Sequence, residues 1–305
     1  MKIFNLNAVT ITILCTMILS PVRLLIAAPL DLSLSANMLS TGGTYAAAGG
    51  AFAADETLAM ICNPAGLSWV TGFMMDITYG LYSVFPGVTL GNTAICFPIS
   101  NYGAAGLSWQ NVSAELMQGN PAAGLQQKSV WNENLVTLAY GFKINNHIRT
   151  GIALKRYVLD TSIGNGAGMG FDFGAVAVLG KFNNFAVGMV AKNVVADIKN
   201  EAIPADYRIG FSWAVFKKTT IFSADVDTKT EIAALDGTYV SGMNLRYHAG
   251  VDIMVGPAGI HAGYDNGGGT FGLSVIIKKI WVVGIGYASY PSIGDTYRIS
   301  LIYKK

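Results

Sequence analysis

Beyond Gly72 the chain alternates. Phe73, Met75, Ile77, Tyr79 and Leu81 place a large apolar side chain at every second position, and Val136, Leu138, Tyr140 and Phe142 do the same with Thr137, Ala139 and Gly141 between them. A period of two marks strands whose faces meet different surroundings. Tight turns punctuate the pattern: Asn145-Asn146 leads into Ile148, Thr150, Ile152 and Leu154, whose other face carries Arg149, Gly151 and Lys155. Asn183-Asn184, Lys217-Lys218 and Gly256-Pro257 divide later pairs of apolar segments in the same way. The alternation predicts 14 strands, at 72–83, 88–99, 102–113, 131–144, 147–160, 168–180, 185–197, 205–215, 219–229, 241–255, 258–265, 269–278, 280–290 and 296–303. Between them, 112–130, 160–168 and 229–240 read as the longer loops.

Upstream the period is lost. Tyr45 to Cys62 is rich in alanine and predicts a short helix or two broken ones, and Asn63-Pro64-Ala65-Gly66-Leu67 is turn chemistry. Asn caps its own backbone, Pro fixes φ at the first turn residue, and Gly accepts a left-handed conformation. Residues 29–68 therefore form a compact non-strand segment ahead of the sheet at 69–305, and the small side chains of 36–66 suit packing inside a narrow lumen. Residues 1–28, with Lys2, an apolar run from Ala8 to Leu19 and Ala27-Ala28 at its end, read as a secretory signal.

Composition turns the sheet into a membrane barrel. Of 305 residues 52% are hydrophobic and only 12% charged, where a soluble domain carries about a quarter. A closed barrel needs few charges, because one face of each strand meets lipid, and a bacterial single-chain barrel has an even strand number. About 9–11 residues carry a tilted strand across the bilayer, which these segments supply. Tyr79, Tyr82, Tyr140, Tyr157, Tyr287 and Tyr290 lie at strand ends, where interfacial aromatics belong. The net charge of +2 excludes a strongly basic nucleic-acid binder.

Both ends of the chain carry a resemblance. Gly49-Gly50-Ala51-Phe52, Ala54-Asp55-Glu56 and Asn63-Pro64-Ala65-Gly66-Leu67 are similar to the N-terminal signature of the FadL-like outer-membrane barrels, which include the PorV/PorQ proteins. Arg246 to Asp252, Ile260 to Tyr264 and Gly294 to Leu301 resemble the late strands and the closing strand of that superfamily. Cys62 and Met60-Ile61 depart from the usual residues before the turn. The resemblance implies a barrel of about 14 strands in the outer membrane of a diderm bacterium, inserted by the barrel assembly machinery, with the N-terminal segment as a hatch in the lumen. It also implies passage of hydrophobic small molecules such as fatty acids, directly or through a side opening in the wall. The PorV branch implies instead a binding or assembly module for exported proteins.

Charged residues at alternate positions name the lumen. Asp76, Lys155, Asp172, Lys192, Arg208, Asp225, Arg246, Asp252 and Arg298 interrupt the strands, and a charge on the lipid face costs about 2–4 kcal/mol near the midplane. They are expected to point inward, with Arg208, Arg246 and Arg298 as partners for Asp55 and Glu56 of the hatch. Leu116, Met117 and Leu125, with Trp131, are the candidates for an apolar ligand site in the loop at 112–130.

Other chemistry is thin. Gly164 to Gly170 precedes a strand rather than opening a helix, so it lacks the setting of a phosphate-binding loop. His248 and His261 fall on adjacent strands, a poor basis for a metal site, and no motif accompanies a Ser-His-Asp order. No enzyme activity, metal or cofactor is expected. Cys62 and Cys96 read as small apolar fillers rather than a disulfide framework.

Overall fold

A computed structural model describes residues 59–82, 87–120, 125–162, 164–179, 184–198, 201–216, 219–235, 238–265, 267–290 and 294–305. The signal expected at 1–28 and the part of the expected hatch segment before Ala59, with the acidic pair Asp55-Glu56, lie outside the described residues.

Fourteen antiparallel strands close into a barrel. They are β1 (Met74–Tyr82), β2 (Val88–Ser100), β3 (Gly103–Asn120), β4 (Leu125–Lys143), β5 (Ile148–Thr161), β6 (Gly164–Leu179), β7 (Phe185–Ile198), β8 (Asp206–Val215), β9 (Thr220–Leu235), β10 (Thr238–Val255), β11 (Ala258–Asp265), β12 (Gly268–Ile277), β13 (Trp281–Tyr290) and β14 (Gly294–Lys304). Each pairs with its sequence neighbours, and β1 returns to β14 from Met74↔Lys304 to Tyr82↔Thr296. A two-residue bridge, Glu201–Ala202, folds back on the end of β7. Closure leaves no unpaired strand edge, the one arrangement in which a sheet can sit in hydrocarbon.

The alternation sorts the faces as the sequence predicts. Ile77, Tyr79 and Leu81 on β1, Ile209, Phe211 and Trp213 on β8, and Ile299 and Leu301 on β14 are exposed on the outer wall. Their neighbours Asp76, Thr78, Arg208, Arg298 and Ser300 are buried on the inside. This is the lipid-out, polar-in order of a membrane barrel. Near the chain ends, the Tyr303 ring lies 4.8 Å from Trp281 and 6.3 Å from Phe73.

The long loops differ from expectation. Residues 112–120 with 125–130, and 229–235 with 238–240, continue β3–β4 and β9–β10 as ladders, with Asn120↔Leu125 and Leu235↔Thr238 as the last pairs. Residues 160–161 and 164–168 likewise become the ends of β5 and β6, paired to Thr161↔Gly164. Polar side chains there weaken the apolar signal, yet pairing between the two arms of each hairpin satisfies backbone groups that a loop would leave to water.

The end of the barrel where Met74 and Lys304 lie is filled. The helix Ala59–Cys62 and the 3-10 turn Pro64–Trp69 sit inside it. Asn63 fixes the turn: its Oδ1 accepts from the Ala65 amide at 3.1 Å, and its Nδ2 donates to the carbonyls of Met189 at 3.3 Å and Ala175 at 3.5 Å. Pro64 at the first helical position costs no hydrogen bond. Met60, Cys62 and Leu67 pack with Cys96, Val282 and Ile302 into the main apolar cluster. Asn63, Pro64 and Gly66 are buried in this turn, and Cys62 and Cys96 share one apolar environment.

Glycine makes the fit. Gly141, Gly151 and Gly174 are register partners on β4, β5 and β6. A Cβ on Gly141 would stand 2.5 Å from the Pro64 carbonyl oxygen, one on Gly151 2.5 Å from the Ala65 nitrogen, and one on Gly174 against the Asn63 Oδ1. Three bare positions in a row let the turn lie directly on the wall. On the same wall, the Arg149 guanidinium donates to the Ser68 carbonyl at 3.0 Å and lies 4.5 Å from the centre of the Trp69 ring.

Candidate functional site

Above the hatch the lumen is charged on one side. Asp227 on β9 is fully buried between two arginines: Arg208 of β8 donates to it through Nε at 3.1 Å and through Nη2, and Arg246 of β10 through Nε at 2.7 Å and Nη2 at 2.9 Å. Arg246 also reaches Asp206 at 3.3 Å. The guanidinium fork suits such shared carboxylates. His248 Nδ1 lies 2.6 Å from Asp265 Oδ1, and its Nε2 is 3.5 Å from Asp227. Removing one partner of a buried pair leaves an uncompensated charge and costs about 3–5 kcal/mol. Asp227→Ala is therefore expected to destabilise the barrel by about that amount, and more than Asp227→Asn, when unfolding is followed by denaturant titration in lipid vesicles.

A second ionic group marks an irregularity in the wall. Between Phe171↔Val195 and Phe173↔Ala191 the register slips, so Lys192, Asn193 and Val194 of β7 face Asp172 alone. Asn193 takes a positive φ of 54°. Its backbone amide donates to Asp172 at 2.8 Å, its Oδ1 accepts from Tyr157 at 2.7 Å, and Lys155 meets Asp172 at 2.6 Å. The bulge is held from inside, while Val194 and Val195 are turned outward.

Asp252, His261 and Ser274, on β10, β11 and β12, form a hydrogen-bonded row: Asp252 Oδ1 to His261 Nδ1 at 2.7 Å, His261 Nε2 to Ser274 Oγ at 2.9 Å. The order is that of a nucleophile, base and orienting acid. Ser274 lies mid-strand, however, paired with Gly259 on one side and Gly284 on the other, so the backbone donors around it serve the ladder and none is left to hold an oxyanion. The row gives three buried polar side chains hydrogen-bonding partners.

Two apolar groups line the lumen toward its far end. Leu135, Tyr157, Leu159, Ala196, Ile198 and Ile203 form one, with Trp131 packed against it. Tyr82, Leu90 and Val112 form the other. With these in place, the lumen runs from an apolar mouth, across a polar middle, to an apolar stopper.

Solved structures with the same architecture exist. The toluene transporter TodX of Pseudomonas putida superposes with a TM-score of 0.64 at 10% identity, covering 87% of this chain and 96% of that one. The toluene transporter TbuX of Ralstonia pickettii gives 0.61 at 14% identity, over 87% and 97% of the two chains. A FadL homologue of Pseudomonas aeruginosa gives 0.58 at 12%, again over 87% and 97%. The chain has the FadL–TodX fold. No family model matches the sequence, and no curated protein does. At these identities the likeness is one of fold, and it agrees with the FadL-like resemblance read from the two ends of the chain.

Within this FadL-type barrel the expected site residues separate. Trp131 joins the far-end apolar cluster. Leu116, Met117 and Leu125 stand on the β3–β4 hairpin extension rather than in a loop. Arg208 and Arg246 point inward as expected, and strand carboxylates, Asp227 and Asp206, engage them. Arg298 is buried on β14. The sequence reading missed Asp227, Asp206 and the clamp at Asn193. Asp227 follows Asp225 at the strand period, so a second inward carboxylate was there to be found; its two arginine partners depend on the register of three strands.

Proposed function

We propose that this barrel passes hydrophobic small molecules across the outer membrane, fatty acids among them. The observation that carries the reading is the lumen itself: two apolar clusters, around Leu135 and Leu90, face the far end of a closed barrel whose other end is stoppered by Ala59–Trp69. Solutes enter between these clusters and leave past the stopper or through the wall. The fold shared with proteins described as toluene transporters supports the same direction.

Expression in outer membranes depleted of their own hydrophobic channels should raise uptake of radiolabelled toluene or oleate several-fold. Replacing Leu135 and Leu159 by Asp should remove that gain, with the folded barrel still resisting unheated detergent. A PorV-like role in handling exported proteins would instead leave solute uptake unchanged and impair display of a secreted cargo.

A further inference from the structure

The wall opposite the ionic side carries a different chemistry. Asn92 on β2 and Gln110 on β3 are direct register partners, buried to 5% and 1% exposure. Among the described residues, neither the amide nitrogen nor the amide oxygen of either residue has a hydrogen-bonding partner. Ser108 and Thr137, partners one row toward the hatch, are equally buried, and their hydroxyls are likewise unmatched. Two primary amides and two hydroxyls converge on one patch with six hydrogen-bonding atoms unused. Leaving such groups dry carries a desolvation cost for each, so the patch is built for something that bonds to it.

The surroundings define what that is. Leu90 and Val112, two residues farther out on the same strands, belong to one far-end apolar cluster, and Leu135, the register partner of Gln110 on β4, belongs to the other. The patch is the floor on which both clusters converge. The flanking ionic groups are Asp76 one row below, Glu133 one row above, Arg298, which approaches from the β14 side at Gly80 beside Leu90, and Lys155, the register partner of Thr137 on β5, which is ion-paired with Asp172 at 2.6 Å. With Lys155 neutralised by Asp172, two carboxylates stand against one arginine, which disfavours an anionic head. Paired amides offer donors and acceptors together, the complement of a hydroxyl or an amide.

We propose that Asn92, Gln110, Ser108 and Thr137 form a head-group site for uncharged amphiphiles: a small molecule with a terminal hydroxyl or amide on this floor and its apolar body between the two clusters. The site rests on the transport reading above and narrows its substrate class. Hydrogen bonds in so sheltered a place are stronger than in water, so the head group decides selectivity while the tail supplies most of the affinity.

The test uses the full-length barrel in detergent and three probes of equal chain length: octane, 1-octanol and octanoate. Calorimetric titration should show 1-octanol binding about ten- to a hundredfold more tightly than the Asn92→Leu, Gln110→Met variant binds it, with octane binding equal in both proteins. Octanoate should bind more weakly than 1-octanol to the unaltered protein. Should the double variant fail to fold, Thr137→Val with Ser108→Ala gives the same comparison with smaller changes of shape. Tighter binding of octanoate, or an unchanged 1-octanol affinity in variants that still bind octane, would overturn the head-group site and leave the transport reading standing. If 1-octanol bound equally to all forms, water alone would fill the floor and the proposal would fall. Failure of octane and 1-octanol alike to bind would remove both readings.

Discussion

Replacing Gly151 by leucine should unseat the hatch without unfolding the barrel. The new Cβ would fall on the Pro64 carbonyl and 2.5 Å from the Ala65 nitrogen, and these are backbone atoms that no rotamer change can move. Gly141 and Gly174 on either side meet the same turn, so sliding along the wall gives no relief. Overpacking of this kind costs about 1–3 kcal/mol, equivalent to a shift of about 5- to 150-fold between seated and unseated hatch. Because the strand ladders do not involve the turn, the far-ultraviolet circular dichroism of the variant should match that of the parent. Single-channel recording in planar bilayers should show a rise in mean conductance of that order. The outcome against this account is an unchanged conductance in a variant that folds. Gly256→Ala is the matched control. It lies in the β10–β11 turn with a positive φ of 61° and open space around it, so it tests backbone strain alone.

Deleting Ile299 to Tyr303 should abolish insertion altogether. These residues hold both sides of the last strand: Ile299 to Tyr303 pair with Met75 to Tyr79 on β1 and with Trp281 to Ile285 on β13. Without them β1 and β13 each present a row of unpaired backbone groups. Every such group costs several kcal/mol in hydrocarbon, far beyond the about 5–15 kcal/mol by which a native protein is stable. The truncated chain should be recovered in the aggregated fraction and lose the difference in gel migration between heated and unheated samples. A truncation that inserted with normal mobility would mean that β14 is not the closing strand.

How much of this was legible before any fold was known varies with the kind of signal. Strand number and facing came from the period alone, since Ile77-Thr78-Tyr79 or Tyr297-Arg298-Ile299 can have only one order of faces when one side meets lipid. The turn at Asn63 was legible because its chemistry is local: an Asn cap and a Pro that starts a helix. Where the hatch rests was not, since Gly141, Gly151 and Gly174 come into line only through two strand registers. The reach of β3 and β4 was underestimated because Gln126, Gln127 and Lys128 carry no apolar alternation, although their backbone still pairs with β3. The arginine partners were hidden for a related reason. Arg208 and Arg246 stand far apart in sequence, and only the placement of β9 between β8 and β10 brings Asp227 to both.

The turn on the glycine row also bears on the order in which the barrel assembles. All wall pairings but one join consecutive strands and can zip as hairpins; β1–β14 alone must bring together the two ends of the barrel sequence. The search entropy for that meeting grows only with the logarithm of the loop, yet contacts of such large separation are what slow folding. The hatch shortens the search. Joined to β1 through the few residues after Trp69, and bound on β5 to β7 by Arg149 and Asn63, it acts as an intramolecular tether that raises the effective concentration of one seam edge near its final position. The segment that stops the lumen in the finished protein is thereby also a guide for closing the wall around it.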